Sequence, residues 1–414
     1  MLDSIKISKF ITLKRREKGL TQQQLADQLN VSFQAVSKWE TGSAYPNVEL
    51  LYELAGVLEV SVDEILDGNE KSDSLSYRKA GVDTSYTDSI KEDMKKYLKS
   101  EDKRILNGVG PFASLYDISF PEIKNPVLVL KSEEPGSKQK LAMEYGYTES
   151  ICHDMINHLI NDIAVMGARP LAVLDTIVCG YADKDTIHAF IKGIAEACHN
   201  NECSLVGGET SVQPQVLESR TYILSASVAG IVDRELIIDG SAIQEGDSVL
   251  AVASNGLHTN GFSLVRMIME KKPQIKLERI GQETFIEQIM RPHTAYYPAI
   301  KELIKMQGVH GMAHITGGGI ADNLCRIIPS DLSAVIDCSR IRTLDIFRLI
   351  KAAGNISDPE MRATFNCGVG LVLVVAQEEK QKVIGQMGKY FDCYEIGFVE
   401  QGNQKVVCNN QIRW

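Results

Sequence analysis

Acidic side chains, hydroxyls and glycines recur in this chain where apolar runs end, a pattern suited to holding a metal-bound phosphate. In Ser204-Leu205-Val206-Gly207-Gly208-Glu209-Thr210, Leu205 and Val206 read as a short buried strand that breaks into a glycine turn. Glycine accepts φ > 0 there and lets the backbone approach a ligand closely. Glu209 and Thr210 then offer the oxygen ligands a hard cation such as Mg²⁺ takes, with substrate phosphates completing its shell. A second group, Ser132-Glu133-Glu134-Pro135-Gly136-Ser137-Lys138, brings a hydroxyl, acids and a lysine to the end of the apolar run 126–130; a charged surface loop is the plainer alternative. Asn161-Asp162 sits among Ile156, Leu159, Ile160, Ile163 and Met166 on a helical period. A carboxylate on such a helix is costly unless paired or bound to metal, so a ligand role and a satisfied buried hydrogen bond both stand open.

The fourth group runs from Ser254 to Ser263 and carries His258, a substrate-binding or acid–base candidate. Ile315-Thr316-Gly317-Gly318-Gly319-Ile320 precedes a helix, where backbone amides suit a phosphate. Thr364-Phe365-Asn366-Cys367-Gly368-Val369-Gly370 leads into a strand at 371–375. No Walker A or dinucleotide fingerprint occurs, so a nucleotide would be held in another way. The residues by themselves describe a phosphate-handling, Mg²⁺-dependent enzyme.

Alternating strands and helices must position these groups. Strand patterns fall at 126–130, 171–178, 205–206, 222–232 and 248–253, and helical ones at 86–98, 151–166, 185–199 and 264–269. The class is α/β or α+β in two lobes, with the second lobe opening near residue 238. At 414 residues, 44% apolar and 24% charged, the chain is long enough for two or three cored domains. A net charge of −10 argues against nucleic-acid binding over the whole surface, although not against one small module. No apolar run approaches the ~20 residues that span a bilayer, and the N-terminus lacks signal-peptide character. Nine cysteines without a Cys-x-x-Cys pair point to reduced thiols and a cytoplasmic protein.

Residues 1–68 are patterned differently. A basic helix ends at Gly19, Thr21 caps a helix over 22–29 with Gln24 at the capping-box position, and Ser32 caps a third over 33–40. Helices at 48–58 and 62–66 close the core, and Trp39 packs either in it or on the phosphate side. Residues 1–42 carry a net +3 and residues 43–70 a net −7, which confines the basic face to the first part. Through Leu20-Thr21-Gln22-Gln23-Gln24-Leu25-Ala26, Val31-Ser32, Val36-Ser37-Lys38-Trp39-Glu40 and Gly42, the segment resembles the Cro/C1-type helix-turn-helix family. That resemblance implies double-stranded DNA as a partner, with the second helix of the pair in the major groove. Phe33, Gln34, Ser37 and Lys38 would face bases or phosphates and Gln23 the backbone, with Gln34 as the base reader, since its amide can bond bidentately to adenine. A protein-interaction bundle is the alternative. Residues 69–84 read as a polar linker.

The remaining chain resembles aminoimidazole ribonucleotide synthetase, the phosphoribosylformylglycinamidine cyclo-ligase family of purine biosynthesis. The carriers are Ser76-Tyr77 with Ala80-Gly81-Val82-Asp83, Cys203 to Thr210, His258 with Asn260-Gly261 and Ser263-Leu264-Val265-Arg266, Ala313-His314-Ile315-Thr316-Gly317-Gly318-Gly319, and Thr364 to Gly370. The resemblance implies an ATP-binding, dimerising domain over 85–237 and a second domain over 238–414. It also implies a homodimer built on a β-barrel shared between subunits. Further, it implies ATP-driven closure of formylglycinamidine ribonucleotide to aminoimidazole ribonucleotide. Carried over by position, Glu133, Asp162 and Glu209 would hold Mg²⁺, and Lys95, Ser137 and Thr210 would lie with them around ATP. His258 and Lys138 would act in catalysis, and Asn260, Thr316, Gly317 and Gly318 would hold the ribonucleotide. The family's first phosphate loop reads Asp-Gly-Val-Gly-Thr-Lys, whereas here Glu134 and Pro135 add charge and remove an amide donor. After Thr210 the family's Ala-Glu-Met-Pro-Gly-Met-Tyr becomes Ser211-Val212-Gln213-Pro214-Gln215-Val216-Leu217. These departures support a second reading, a transcriptional regulator whose enzyme-like part senses a nucleotide or purine intermediate.

Overall fold

The computed structural model describes residues 3–69, 77, 80–94, 96–98, 100–108 and 110–414. The chain divides into two units, Met1–Ala80 and Gly81–Trp414.

Among the described residues, the first unit comprises five helices: α1 (Ser4–Glu17), α2 (Gln22–Gln28), α3 (Phe33–Glu40), α4 (Val48–Leu58) and α5 (Val62–Asp67). Their starts follow from capping chemistry. Thr21 and Gln24 form a reciprocal capping box, and the Ser32 hydroxyl accepts from the Ala35 amide. Between α2 and α3, Asn30 takes φ 52, a left-handed residue that lets the chain reverse tightly. Ile11, Leu25, Ala26, Val36, Leu54 and Ile65 are fully buried and Trp39 nearly so. A charged clamp crosses this core: the Arg15 guanidinium donates to Glu40, which also accepts from Gln22. Burial would raise the Glu40 carboxyl, but those donors hold it below its usual range.

The second unit begins with α6 (Thr84–Met94) and builds a first layer from β1 (Pro126–Glu133), α7 (Lys138–Tyr145), α8 (Thr148–Ala164), β2 (Arg169–Cys179), α9 (Lys184–Asn200), β3 (Ser204–Val212) and β4 (Tyr222–Asp233). The sheet order is β1-β4-β2-β3, with β2/β3 parallel and the other pairs antiparallel. This sheet is open. Its register sorts side chains by face: Glu133, Ala226, Asp175 and Gly208 form one lateral row, and Thr176 and Glu209 pair on the opposite face with Leu174 and Leu130. The Val173, Ile177, Leu224 and Val228 face packs on α8 and α9, while Leu128, Leu130, Leu174 and Ile223 lie 46–68% exposed on the other.

The second layer comprises β5 (Ser248–Ala253), α10 (Phe262–Lys271), the hairpin β6–β7 (Arg279–Ile280, Glu283–Thr284), α11 (Phe285–Ile289), α12 (Tyr297–Leu303), β8 (Val309–His314), α13 (Gly319–Cys325), β9 (Leu332–Asp337), α14 (Asp345–Gly354), α15 (Asp358–Thr364), β10 (Val369–Val375), α16 (Lys380–Met387), β11 (Cys393–Gln401) and β12 (Lys405–Asn409). Its sheet order is β12-β9-β11-β5-β10-β8. Every residue of β10 is buried, as expected of a central strand covered on both faces. None of the described helices is long and apolar enough to cross a membrane.

The 204–210 stretch departs from its sequence-level reading. No turn occurs at Gly207-Gly208: β3 runs through both glycines to Val212, and neither has positive φ. The need for glycine is lateral. A Cβ on Gly208 would fall 2.0 Å from Asp175 Oδ1 on the neighbouring strand, so the absent side chain makes room for a buried carboxylate rather than for a turn.

Candidate active site in the cleft between the layers

Helix α8 supplies the spine of the site. Asp154, Asn157, His158, Asn161 and Asp162 recur at three- and four-residue spacing and form a polar stripe on an otherwise apolar helix. Most of that stripe is structural. Asn157 Nδ2 donates to the His293 carbonyl at 2.7 Å, Asn161 Nδ2 donates to the Thr294 carbonyl at 2.9 Å, and Asn161 Oδ1 accepts from the Tyr296 amide at 3.0 Å. The two amides thereby pin the backbone of 293–296 against the helix. The alternatives left open for Asn161-Asp162 divide between its members: Asn161 satisfies buried backbone, and Asp162 turns into the cleft.

Lys138 opens α7 and has no exposed surface. Its ammonium donates to Asp154 Oδ1 at 2.8 Å, to the Arg291 carbonyl at 2.7 Å and to the His258 carbonyl at 3.2 Å. Burial pushes the ammonium down and the Asp154 carboxyl up to about 6, against the mutual attraction of the pair. Lys138 is absent from the cleft wall and ties three segments together beneath it.

The cleft encloses about 590 Å³ and is lined by Lys131, Glu133, His158, Asp162, Asn260, His314, Thr316 and Gly317, together with Asn323 and Arg326. Lys131 Nζ bridges Glu133 Oε2 at 3.1 Å and Asp162 Oδ2 at 3.2 Å. His314 Nδ1 meets Asp162 Oδ1 at 2.7 Å, and its Nε2 meets His293 Nε2 at 2.8 Å. His293 in turn stacks on His258, ring centres 3.9 Å apart. Burial would raise the Asp162 carboxyl, but the hydrogen bond and charge of His314, with His158 and Lys131, hold it below the usual carboxylate range. Burial, reinforced by neighbouring rings, pushes His158 down to about 4 and places His258 and His293 well below the ordinary histidine value. These three rings are neutral at physiological pH.

His258 adopts φ 59, and its Nε2 lies 3.1 Å from the Thr294 hydroxyl. The glycine loop is shaped by Asn323, whose Nδ2 donates to the carbonyls of Thr316, Gly317 and Gly319. Gly318 and Gly319 take φ 92 and 66, which L side chains rarely adopt.

The structure brings Glu133, Asp162, Asn260, Thr316 and Gly317 to one cleft, with Gly318 in the same loop. His258 lies just behind the wall, fully buried. Glu209 is not part of this group: its register places it on the opposite sheet face, in a second hollow with Leu174, Thr176 and Gly207. Thr210 follows it along β3, Ser137 lies 3.4 Å from the Ser263 hydroxyl, and Lys95 lies outside the described residues. Glu134 is exposed at the end of β1. Sequence reasoning left out Lys131, His158, His293 and the side chain of His314. One signal was available, since His158 and Asp162 stand four apart on a helical period. Convergence of His293 and His314, distant in sequence, carries none. In the first unit, Gln23, Phe33, Gln34 and Lys38 are exposed and Ser37 is half-buried, the last four on one face of α3.

Comparison with known proteins accords with this division. Residues 127–232 match the AIR synthase related protein N-terminal domain, 244–409 its C-terminal domain, and 11–65 a helix-turn-helix profile. A phosphoribosylformylglycinamidine cyclo-ligase of Neisseria meningitidis serogroup C is 38% identical over 333 residues, covering 80% of this chain and 96% of that protein. One from Methylobacillus flagellatus is 39% identical, covering 75% and 90%. Among solved structures, thiamine-monophosphate kinase of Stenotrophomonas maltophilia aligns with TM-score 0.58 at 20% identity, over 79% of this chain and 96% of that one. Hydrogenase maturation protein HypE in complex with ATP aligns with TM-score 0.57 at 14% identity, over 80% and 92%. At such identities the structural likeness speaks for the fold alone.

Proposed function

The chain belongs to the AIR synthase family with its phosphoribosylformylglycinamidine cyclo-ligases, and on that premise we propose an ATP-dependent cyclo-ligase that carries its own sequence-specific DNA-binding module. The proposed reaction closes formylglycinamidine ribonucleotide to aminoimidazole ribonucleotide. The observation carrying it is the cleft where two carboxylates, a glycine loop and the His158 and His314 rings converge. Glu133 and Asp162 would hold the divalent cation of Mg²⁺–ATP. The position suits a cation, because the Lys131 ammonium already sits between the same two carboxylates. ATP supplies the phosphoryl group that converts an amide oxygen into a leaving group. Ser137, Thr210 and Lys95 would serve the nucleotide, and Asn260, Thr316, Gly317 and Gly318 would position the ribonucleotide. His258, held by Thr294 and stacked on His293, would orient substrate from beneath. Lys138 would contribute by fixing the His258 backbone rather than by touching substrate.

In this reading 85–237 is the nucleotide-binding, dimerising domain and 238–414 completes the cleft. Leu128, Leu130, Leu174 and Ile223 leave one face of the first sheet apolar and exposed, which favours a second copy closing a shared barrel there. Glu209 lies on that face. Two copies would present two DNA modules, suiting half-sites about 34 Å apart or a multiple.

A second reading, a DNA-binding regulator that senses a nucleotide or purine intermediate, is favoured by Glu134, an exposed charge at the end of β1 where a polyphosphate would approach. ADP release with Mg²⁺–ATP, with and without formylglycinamidine ribonucleotide, separates the two. Substrate-dependent ADP that is abolished in Asp162→Asn supports the enzyme. Saturable ligand binding without turnover, coupled to altered DNA affinity, would replace it with the sensor.

A further inference from the structure

His158 and His314 change the chemistry of the carboxylate pair beside them. His158 and Asp162 are one turn apart on α8, and His314 ends β8 across the cleft. One ligand atom from each of His158, Asp162 and His314 lies within 4.8 Å of the others. His158 Nε2 is 3.7 Å from Glu133 Oε2 and 3.8 Å from Asp162 Oδ2, and His314 Nδ1 is 2.7 Å from Asp162 Oδ1. Ligands about 2.1 Å from one ion stand roughly 3.0–4.2 Å from each other, so the two longer separations already match. The third is a hydrogen bond that opens slightly when its proton leaves.

The positive position between these groups is taken by the Lys131 ammonium, on the very oxygens that His158 faces. Its side chain is 38% exposed and so has room to swing into the cleft. The other nitrogen of each ring is already held: His158 Nδ1 meets the Thr259 hydroxyl at 3.3 Å, and His314 Nε2 meets His293. Metal-binding histidines are oriented in this way, through the nitrogen that does not bind the ion.

We propose that His158, His314 and Asp162 form a two-histidine, one-carboxylate site for a first-row transition-metal dication, which it takes in preference to Mg²⁺. Imidazole favours Fe²⁺ through Zn²⁺, whereas Mg²⁺ demands an oxygen shell. The inference rests on the proposed placement of a divalent cation at Asp162 and revises which ion that is.

The test uses the full chain, stripped with chelator and titrated with Co²⁺, followed by visible d–d absorption and by metal retained after gel filtration. One Co²⁺ per chain should be retained against a roughly hundredfold excess of Mg²⁺. Thr259→Val should weaken retention by about tenfold, and His158→Asn by more, with the circular-dichroism spectrum unchanged. Displacement of Co²⁺ by equimolar Mg²⁺ overturns the inference and leaves the Mg²⁺–ATP reading intact. Failure of wild type to retain Co²⁺ overturns the inference, while the Mg²⁺–ATP reading stands or falls by ADP release. Should His158→Asn not fold, the cobalt spectrum of wild type decides, since a spectrum of purely oxygen-bound Co²⁺ overturns the histidine ligands.

Discussion

Replacing Lys138 distinguishes a structural lysine from a catalytic one. Its ammonium is wholly buried, paired with a wholly buried Asp154, and donates to two further carbonyls. Lys138→Met leaves the Asp154 carboxyl unpaired in an apolar site with the His293 amide, at 2.8 Å, as its donor. Breaking a buried pair from one side costs about 3–5 kcal/mol. Asp154→Leu costs a similar amount and also orphans that amide, about 1–3 kcal/mol more. The double variant removes both charges and should lose less than the two singles together, so the cycle shows strong coupling. Scanning calorimetry of the full chain, with its two units, is the assay. The transition of the Gly81–Trp414 unit should fall by several degrees in each single variant and recover in part in the double. An unchanged melting profile in Lys138→Met, alongside a collapse of kcat, would refute the structural role and return Lys138 to the chemistry.

Acidification should destabilise the same unit. The folded-state pKa of His158 is about 4, below the ordinary 6.5, so the unfolded chain binds the extra proton between those values. Stability is therefore full above pH 6.5 and is lost as pH falls toward 4, by about 3 kcal/mol for this ring alone. His258 and His293 act in the same direction. Melting in metal-free buffer at pH 7 and pH 5 checks this, and an unchanged profile would contradict the neutral histidine wall. Gly208→Ala should cost about 1–3 kcal/mol by crowding Asp175, despite a backbone that tolerates alanine; a neutral result in urea unfolding would show that the carboxylate simply moves away. In the helix-turn-helix unit, Gln34→Ala should relax base preference, whereas Lys38→Ala should weaken binding to all duplexes and lower the salt slope by about one. Wild-type binding by both variants would misplace the recognition helix.

Local signals carried much of this architecture. Capping residues Thr21, Gln24 and Ser32 set the helix starts they mark, and the apolar runs at 222–232 and 248–253 lie in strands, because caps and periodicity are short-range properties. Glycines were harder to read: Gly208 looks like a turn in sequence and is a strand residue, because its reason is a carboxylate on the next strand. The same holds for the site. Asp162 stood out as an acid on an apolar helix, but its separation from Glu209 by a sheet face depends on strand register. That Lys138 lies buried on Asp154, and that His293 and His314 meet behind Asp162, depends on contacts more than a hundred residues apart or across two elements. Burial and charge pairing are properties of the assembled core, so residue types could nominate the groups, while only tertiary packing decided which of them face the cleft and which hold it up.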